Sequence, residues 1–566
     1  MYRDLMGARM DQTRDDPEGL VMTAGHGPDS RPKTTLEGRL IPGAQRVLVA
    51  QHPWRLHGID SSRRIEAQAL QHRPDGSLMA WAGSQVARWI LGSAPHAQHI
   101  WVAAGPGGNG GDGLFAATRL AQCGKRVSIS LHGTTLERVP QGASNAYQQA
   151  LKQALGAGCV LQDAGHVHHP DLVIDALLGL GANRPLSPPI AEAVQHIQAQ
   201  ACPCLSVDLP TGLQADTGEA LGPVIVKARA TLSLLTLKPG LFMGEGRDAA
   251  GEIWFDGLDP GPWHDVEPAV AHTICRPLST HAAPHRPHAS HKGSFGDVVL
   301  VGGAPGMSGA LRLAAHAALA AGAGRVIAVP LDPASPLLDE GRPECMWLRP
   351  EALLQDYPLE RATVVCGCGG GQAVERLLPT LVRRVRRLVL DADALNALAA
   401  QPSIALELQA RADQGFSTIL TPHPLEAARL LKATATEVQA ARLDAAQRLA
   451  AQHRATVVLK GSGTVVATPG VVPCVNLTGG GSLAVGGTGD VLAGWLGGRW
   501  AGVQADAAAS ASLQAGGASS ESPRAHLAAC HAVYIHGRAA DRLGSVNAVR
   551  ALDVVEQMRA ELAQLW

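Results

Sequence analysis

With 566 residues, the chain is too long for one hydrophobic core and suits two domains of about 200–270 residues each. Hydrophobic residues make up 46%, charged residues 17%, and the net charge is −1, so no overall field would hold the protein on nucleic acid or an anionic membrane. The longest apolar runs, such as Leu311–Ala323, contain Arg312 and His316 and fall short of the roughly 20 residues of a bilayer span.

Residues 1–50 mix charge, Gly and Pro and read as a loose N-terminal extension. Residues 1–30 carry Arg and Asp throughout and lack the apolar core of a secretory signal. From Gly58 to Ile90 the apolar spacing is helical in places. Strands and helices then alternate: strand His99–Gly105, helix Gly113–Cys123, strand Arg126–Leu131, and strands Asp171–Leu178, Cys202–Pro210 and Thr231–Leu235. Such alternation predicts a parallel sheet covered by helices. Residues 260–291 break the pattern with six prolines, and five of their six histidines fall within 272–291. Their irregular spacing favours a solvated linker over a metal site.

The alternation resumes at Gly296. Strand Asp297–Val301 leads into helix Gly309–Gly322, followed by strands Arg325–Val329, Thr363–Cys368, Arg387–Leu390, Ser417–Leu420 and Thr456–Leu459. Gly479–Asp490 is a glycine-dense loop opening a helix at Val491–Leu496. The predicted fold is α/β with two doubly wound domains, residues 51–259 and 292–566. The ten cysteines form no framework. The C-x-C pairs Cys202/Cys204 and Cys366/Cys368 lie in predicted strands without zinc-type spacing, which reads as buried reduced thiols in a cytoplasmic protein.

The first chemical signal is the loop Gly105-Pro-Gly-Gly-Asn-Gly-Gly-Asp-Gly113 between a strand and a helix. Its glycines let backbone N–H groups approach an anion at the positive helix end. It satisfies G-x-G-x-x-G, but a dinucleotide-binding Rossmann unit also needs a carboxylate after the next strand. That strand ends Ser130-Leu131-His132, so a plain dehydrogenase loses ground. Asp175 and Asp208 stand at later strand ends and point toward the crevice where α/β proteins bind ligands.

These segments, together with Leu78–Gly83 and Ala230–Gly240, resemble the epimerase domain of the NAD(P)HX repair family, whose substrates are hydrated nicotinamide nucleotides, NADHX and NADPHX. The family loop reads G-N-N-G-G-D-G; here Gly108 replaces its first Asn. The resemblance implies an N-terminal Rossmann-like, three-layer domain with a potassium ion on Asn109, Asp175 and Thr211, all hard-oxygen donors. It implies substrate contacts from Gly108, Asn109, Gly110, Gly111 and Asp112, from Gly179, Leu180, Gly181, Ala182, Asn183, Arg184 and Pro185, and from Asp208. Asp208 is the candidate acid/base.

In the second half, Gly486-Gly-Thr-Gly-Asp490 precedes a helix, a pattern suited to holding phosphoryl oxygens beside a general base. No Walker-type G-x₄-G-K-[ST] motif occurs. With His291–Gly296, Pro343–Met346, Asp391–Asn396, Thr421–Glu426 and Lys460-Gly461, this motif resembles the ribokinase-like superfamily, and more closely the dehydratase domain of the same repair family. That resemblance implies ADP as co-substrate with Mg²⁺ on its phosphates. It places the adenine nucleotide on Lys460, Gly461, Ser462, Gly463, Thr464 and Gly489, the hydrated nicotinamide on Ala310, Gly369 and His423, and the base at Asp490. Expected partners are NADHX, NADPHX and ADP, with no nucleic acid or membrane, in a homo-oligomer. The alternative is a ribokinase-like small-molecule kinase with a non-catalytic N-terminal binding module.

Overall fold

Runs such as Asp297-Val-Val-Leu-Val-Gly302 and His99-Ile-Trp-Val-Ala-Ala104 are buried along their whole length, as expected for parallel strands covered on both faces. The computed structural model describes residues 43–47, 52–71, 73–74, 76–133, 145–258, 267–276, 288–502, 521–544 and 549–564. Most of the expected N-terminal extension therefore lies outside the described residues.

The first sheet has eight strands in the spatial order Gln45–Arg46, Glu252–Asp256, Ala230–Leu234, Cys204–Val207, Leu172–Ala176, His99–Ala104, Arg126–Leu131, Val160–Leu161. All pair in parallel except the first, an antiparallel edge. Gln45–Arg46 thus belongs to this sheet and not to a loose extension. Helices Ser77–Ser93, Gly108–Gln122 and Asn145–Gly156 pack on one face, and Pro188–Gln198 on the other.

The second sheet has eleven strands: Met346–Trp347, Arg325–Pro330, Asp297–Gly302, Ala362–Cys366, Arg387–Leu390, Ser417–Leu420, Thr456–Leu459, Val465–Thr468, Val471–Val475, Ala271–Thr273, Arg55–Leu56. Its strands alternate as the pleat requires: Val298 and Leu300 face helices Ser308–Ala320, Thr488–Gly502 and Glu521–Leu543, while Val299 and Val301 face the opposite core. Helix Thr488–Gly502 is buried almost throughout. A Cβ at its Gly494 would lie 2.0 Å from Ala314 O, so only glycine allows this approach to helix Ser308–Ala320.

A further segment departs from the sequence expectation. Ala271–Thr273, expected within a solvated linker, is a strand pairing with Val471–Val475 and with Arg55–Leu56. Its burial, with Ile274 and Cys275 wholly covered, argues for structure where Pro and His content alone suggested solvent. Leu56, from the first domain, lies in one core cluster with Phe242, Met243, Leu390, Leu459 and Val465. Each such leucine contributes about 1.5–3 kcal/mol on burial, so the two domains share apolar stabilisation. Among the described residues, no helix is long and apolar enough to cross a membrane.

Candidate active sites

In the first sheet the direction of growth reverses between the neighbouring parallel strands His99–Ala104 and Leu172–Ala176. Open α/β sheets bind ligands outside the carboxyl ends of the strands at such a switch. The first turns of helix Gly108–Gln122, after one strand, carry Asn109 and Asp112; the loop after the other carries Gly179–Pro185. Both line a cleft of about 800 Å³ together with Gly108, Asp208 and Lys238. Gly110 and Gly111 do not line it. A Cβ on Gly110 would lie 1.9 Å from Gly105 O and one on Gly111 2.3 Å from Met79 Sδ, so both positions need glycine for the helix to seat against its neighbours. Among the described residues, nothing lies within 4 Å of a Cβ built on Gly108, so a side chain there would meet open space.

Two strand ends bring the charged groups together. Asp208 follows Cys204–Val207 with φ +66°, and Leu235 follows Ala230–Leu234 with φ +61°. Each bend is closed by a short backbone bond, Leu209 N to Val207 O at 2.8 Å and Thr236 N to Leu234 O at 2.6 Å. Strain in non-glycine residues clusters where a site over-determines the backbone. Here it turns Asp208 into the cleft and brings the buried Lys238 onto its carboxylate. Lys238 Nζ also donates to Leu234 O at 2.9 Å. Burial pushes the Asp112 carboxyl well above the usual range, and the charges of Asp208 and Glu66 add to it. Glu66 is raised by desolvation and then by Asp208. The raised Asp112 carboxyl and the lysine-paired Asp208 carboxylate line the same cleft.

Asp175 is wholly buried. Its carboxylate accepts from Thr211 Oγ1 at 2.6 Å, Thr211 N at 2.9 Å and Ser206 Oγ at 2.9 Å, and burial raises its pKa in spite of these bonds. Both amide atoms of Asn109 are buried with no hydrogen-bond partner among the described residues. Gly179 lies against Asn109 and Asp208, its built Cβ 3.3 Å from Asn109 Cγ and from Asp208 Oδ2.

The second sheet reverses between Asp297–Gly302 and Ala362–Cys366. Ala310 and Gly369 meet at that switch: a Cβ on Gly369, at φ +56°, would lie 3.0 Å from Ala310 Cβ. Gly369 O accepts from Ala304 N at 2.7 Å. Cys368 offers its sulfur within 4.8 Å of carboxylate oxygens of Asp391 and Asp490. Asp490 lies in the first turn of the buried helix Thr488–Gly502. Desolvation, then the charge of Asp391, raises its pKa to about 6.

Asp391 is in turn held by Lys460 Nζ at 2.8 Å and Thr421 Oγ1 at 2.7 Å. Burial works against the Lys460 charge, but Asp391 and Glu426 overcome it and its pKa ends above the usual value. A Cβ on Gly489 would lie 3.6 Å from Lys460 Nζ, so ammonium and helix N-terminus converge on one place. Gly461, Ser462, Gly463 and Thr464 follow Lys460 in the loop before strand Val465–Thr468. His423 Nδ1 accepts from Leu425 N at 3.1 Å and Glu426 N at 3.3 Å, capping helix Pro424–Leu431. Burial, then the Lys460 charge, lowers its pKa, and the half-exposed ring keeps one edge toward solvent.

Residues 75–240 match the family described as YjeF-related protein N-terminus, and residues 298–559 match NAD(P)H-hydrate dehydratase. A bifunctional NAD(P)H-hydrate repair enzyme of Escherichia coli strain K12 is 34% identical over 436 residues, 74% of this chain and 79% of its own. One from Coxiella burnetii is 34% identical over 501 residues, 87% of this chain and 95% of its own. The chain belongs to the bifunctional NAD(P)H-hydrate repair enzymes. Among solved structures, an ADP/ATP-dependent NAD(P)H-hydrate dehydratase of Bacillus subtilis, co-crystallised with ATP and Mg²⁺, is 27% identical, with a TM-score of 0.42, covering 52% of this chain and 98% of its own.

Within this repair-enzyme scaffold, three residues lie outside the set read from sequence. Lys238 and Glu66 belong to the first cleft. A lysine just beyond a parallel strand end, in Thr236-Leu-Lys-Pro-Gly240, was the available signal for the first. Arg442, wholly buried, donates to Leu459 O at 3.1 Å and Lys460 O at 3.2 Å and so shapes the Lys460–Thr464 loop from beneath. Nothing in its helical surroundings distinguishes it in the sequence from a surface arginine.

Proposed function

We propose that the first cleft epimerises R- and S-NAD(P)HX and that the second site dehydrates S-NAD(P)HX to NAD(P)H, converting ADP to AMP and phosphate. The observation that carries this reading is the pairing of two sheet-switch sites in one chain. One holds a raised carboxyl (Asp112) and a lysine-paired carboxylate (Asp208). The other holds a raised carboxylate at a helix N-terminus beside Lys460.

In the first cleft, Asp112 protonates the ring hydroxyl as it departs as water, aided by the ring nitrogen's lone pair. Water returns to the other face and Asp208 accepts its proton, with Lys238 holding that carboxylate in place. Inversion of the carbon follows. The buried Asp175 carboxylate, Thr211 and the unpartnered Asn109 amide fit a potassium ion, whose charge would offset a buried carboxylate that no side-chain cation neutralises. We assign these three residues to hold it and thereby to fix the loops on either side of the switch.

In the second site, Asp490 takes the proton of the ring hydroxyl, and that oxygen attacks the terminal phosphoryl group of ADP as AMP leaves. The phosphate ester then departs, assisted by the ring nitrogen, and loss of a ring proton restores the reduced nicotinamide. Lys460 and the N–H groups opening helix Thr488–Gly502 hold the phosphates, and Gly461–Thr464 with Gly489 frame the nucleotide. Ala310, Gly369 and the half-exposed face of the His423 ring, whose Nε2 lies 3.2 Å from Glu426 Oε1, receive the hydrated ring. Mg²⁺, which neutralises phosphate charge, fits as an ion held mostly by the nucleotide, since Lys460 already occupies Asp391. We place the reaction in the cytoplasm.

Incubation with ADP and NADHX, with ATP in parallel, tests the dehydratase reading. Recovery of the near-ultraviolet absorbance of reduced nicotinamide is expected. Accumulation of a stable phosphorylated product would instead support the small-molecule kinase.

A further inference from the structure

Away from both sites, helix Glu521–Leu543 presents His526 and Cys530 one turn apart, on one face, toward the hairpin of strands Val465–Thr468 and Val471–Val475. Cys474 on that hairpin, His526 and Cys530 are all buried. One ligand atom of each lies within 4.8 Å of the others, Cys474 Sγ and His526 Nε2 being 3.5 Å apart. In a tetrahedral zinc site with bonds of about 2.3 Å to sulfur and 2.0–2.1 Å to nitrogen, a sulfur–nitrogen edge is about 3.5 Å and a sulfur–sulfur edge about 3.8 Å.

The other ring nitrogen is already committed. His526 Nδ1 lies 3.0 Å from Thr468 Oγ1, which in turn pairs with Thr456 Oγ1 at 2.9 Å. With Nδ1–H donating to Thr468, the Nε2 lone pair faces the sulfurs, the outer-shell arrangement that orients metal-bound imidazoles. Charge also fits: two thiolates and a neutral imidazole cancel a divalent cation, so the dry core would hold no net charge. The fourth position has a candidate on the adjacent parallel strand: His272, outside the 4.8 Å cluster of the other three, is the register partner of Cys474, and register partners share a face.

We propose that Cys474, His526 and Cys530, with His272 as fourth ligand, form a structural site for one Zn²⁺ ion. Each thiol releases its proton to solvent on binding. The ion would tie strand Ala271–Thr273, which links the two domains, to the hairpin and to the long helix behind it.

The test uses the full chain, without an affinity tag, produced in zinc-supplemented medium. Elemental analysis after gel filtration should find zinc at one equivalent per chain. The cobalt(II)-exchanged protein should show a thiolate-to-cobalt charge-transfer band with tetrahedral visible bands. Cys474→Ser and His526→Gln should lose the zinc and the bands while the near-ultraviolet circular dichroism stays native. Should these variants fail to fold, chelator titration of the unaltered chain gives the second measurement, zinc release together with a lower melting temperature. Zinc below about a tenth of an equivalent, cobalt bands unchanged in the variants, or a Cys474–Cys530 disulfide in the peptide map of protein purified without reductant would each overturn the proposal.

Discussion

Replacing Asp490 by Asn keeps the size and most of the hydrogen bonding of the side chain but removes the group assigned as base. With its pKa at about 6, the carboxylate is roughly nine-tenths ionised at pH 7 and more basic than a solvated aspartate, which suits proton abstraction near neutrality. Loss of a general base costs about 10²–10⁴-fold in turnover, or roughly 3–5 kcal/mol of barrier. Nucleotide binding should survive, because Lys460 remains on Asp391 and the helix N-terminus is unchanged. It should tighten slightly, as a negative charge near the phosphates has gone. The assay is the dehydration rate at saturating ADP and S-NADHX, alongside ADP affinity by calorimetry. A variant keeping more than about a tenth of wild-type turnover would refute the assignment and direct attention to Asp391 and Asp393.

The same carboxylate sets a pH limb: as base it works when ionised, so kcat/KM for dehydration should fall as pH drops through about 6. Asp391→Asn removes a charge that raises Asp490, and the limb in a pH–rate profile should move to lower pH. Asp175→Ala should slow epimerisation and abolish its potassium dependence while leaving dehydration of the S epimer intact; equal loss of both activities would indicate misfolding. Lys238→Met leaves Asp208 unpaired beside Asp112 and Glu66. Epimerisation should fall by about 10²-fold or more with dehydration kept, and breaking a buried pair should cost about 3–5 kcal/mol in denaturant titration.

Strand positions were legible because buried parallel strands read as branched apolar runs between turn residues: Arg126–Leu131, Arg387–Leu390 and Thr456–Leu459 stand where the sequence places them. Asp175, Asp208 and Asp490 were legible for a related reason, since a carboxylate at a strand end or helix start has little apolar purpose. What escaped depends on contacts between distant segments. Lys238 reaches Asp208 across 30 residues only because two bends place them together. Arg442 supports a loop 18 residues away through its carbonyls. The strand Ala271–Thr273 is too short, and too rich in neighbouring Pro and His, to show a period of two. The packing role of Gly110 and Gly111 against Gly105 and Met79 is likewise not visible in sequence, where a glycine that approaches a ligand and one that seats a helix look alike.

The central claim, that one chain both epimerises and dehydrates, is tested most directly by supplying the full-length protein with ADP and an equal mixture of R- and S-NADHX. The measurement is the extent of NADH recovery over a period too short for spontaneous epimerisation. The account predicts conversion of both epimers to completion, and arrest near half for Asp208→Asn. Arrest near half with the unaltered chain would contradict it.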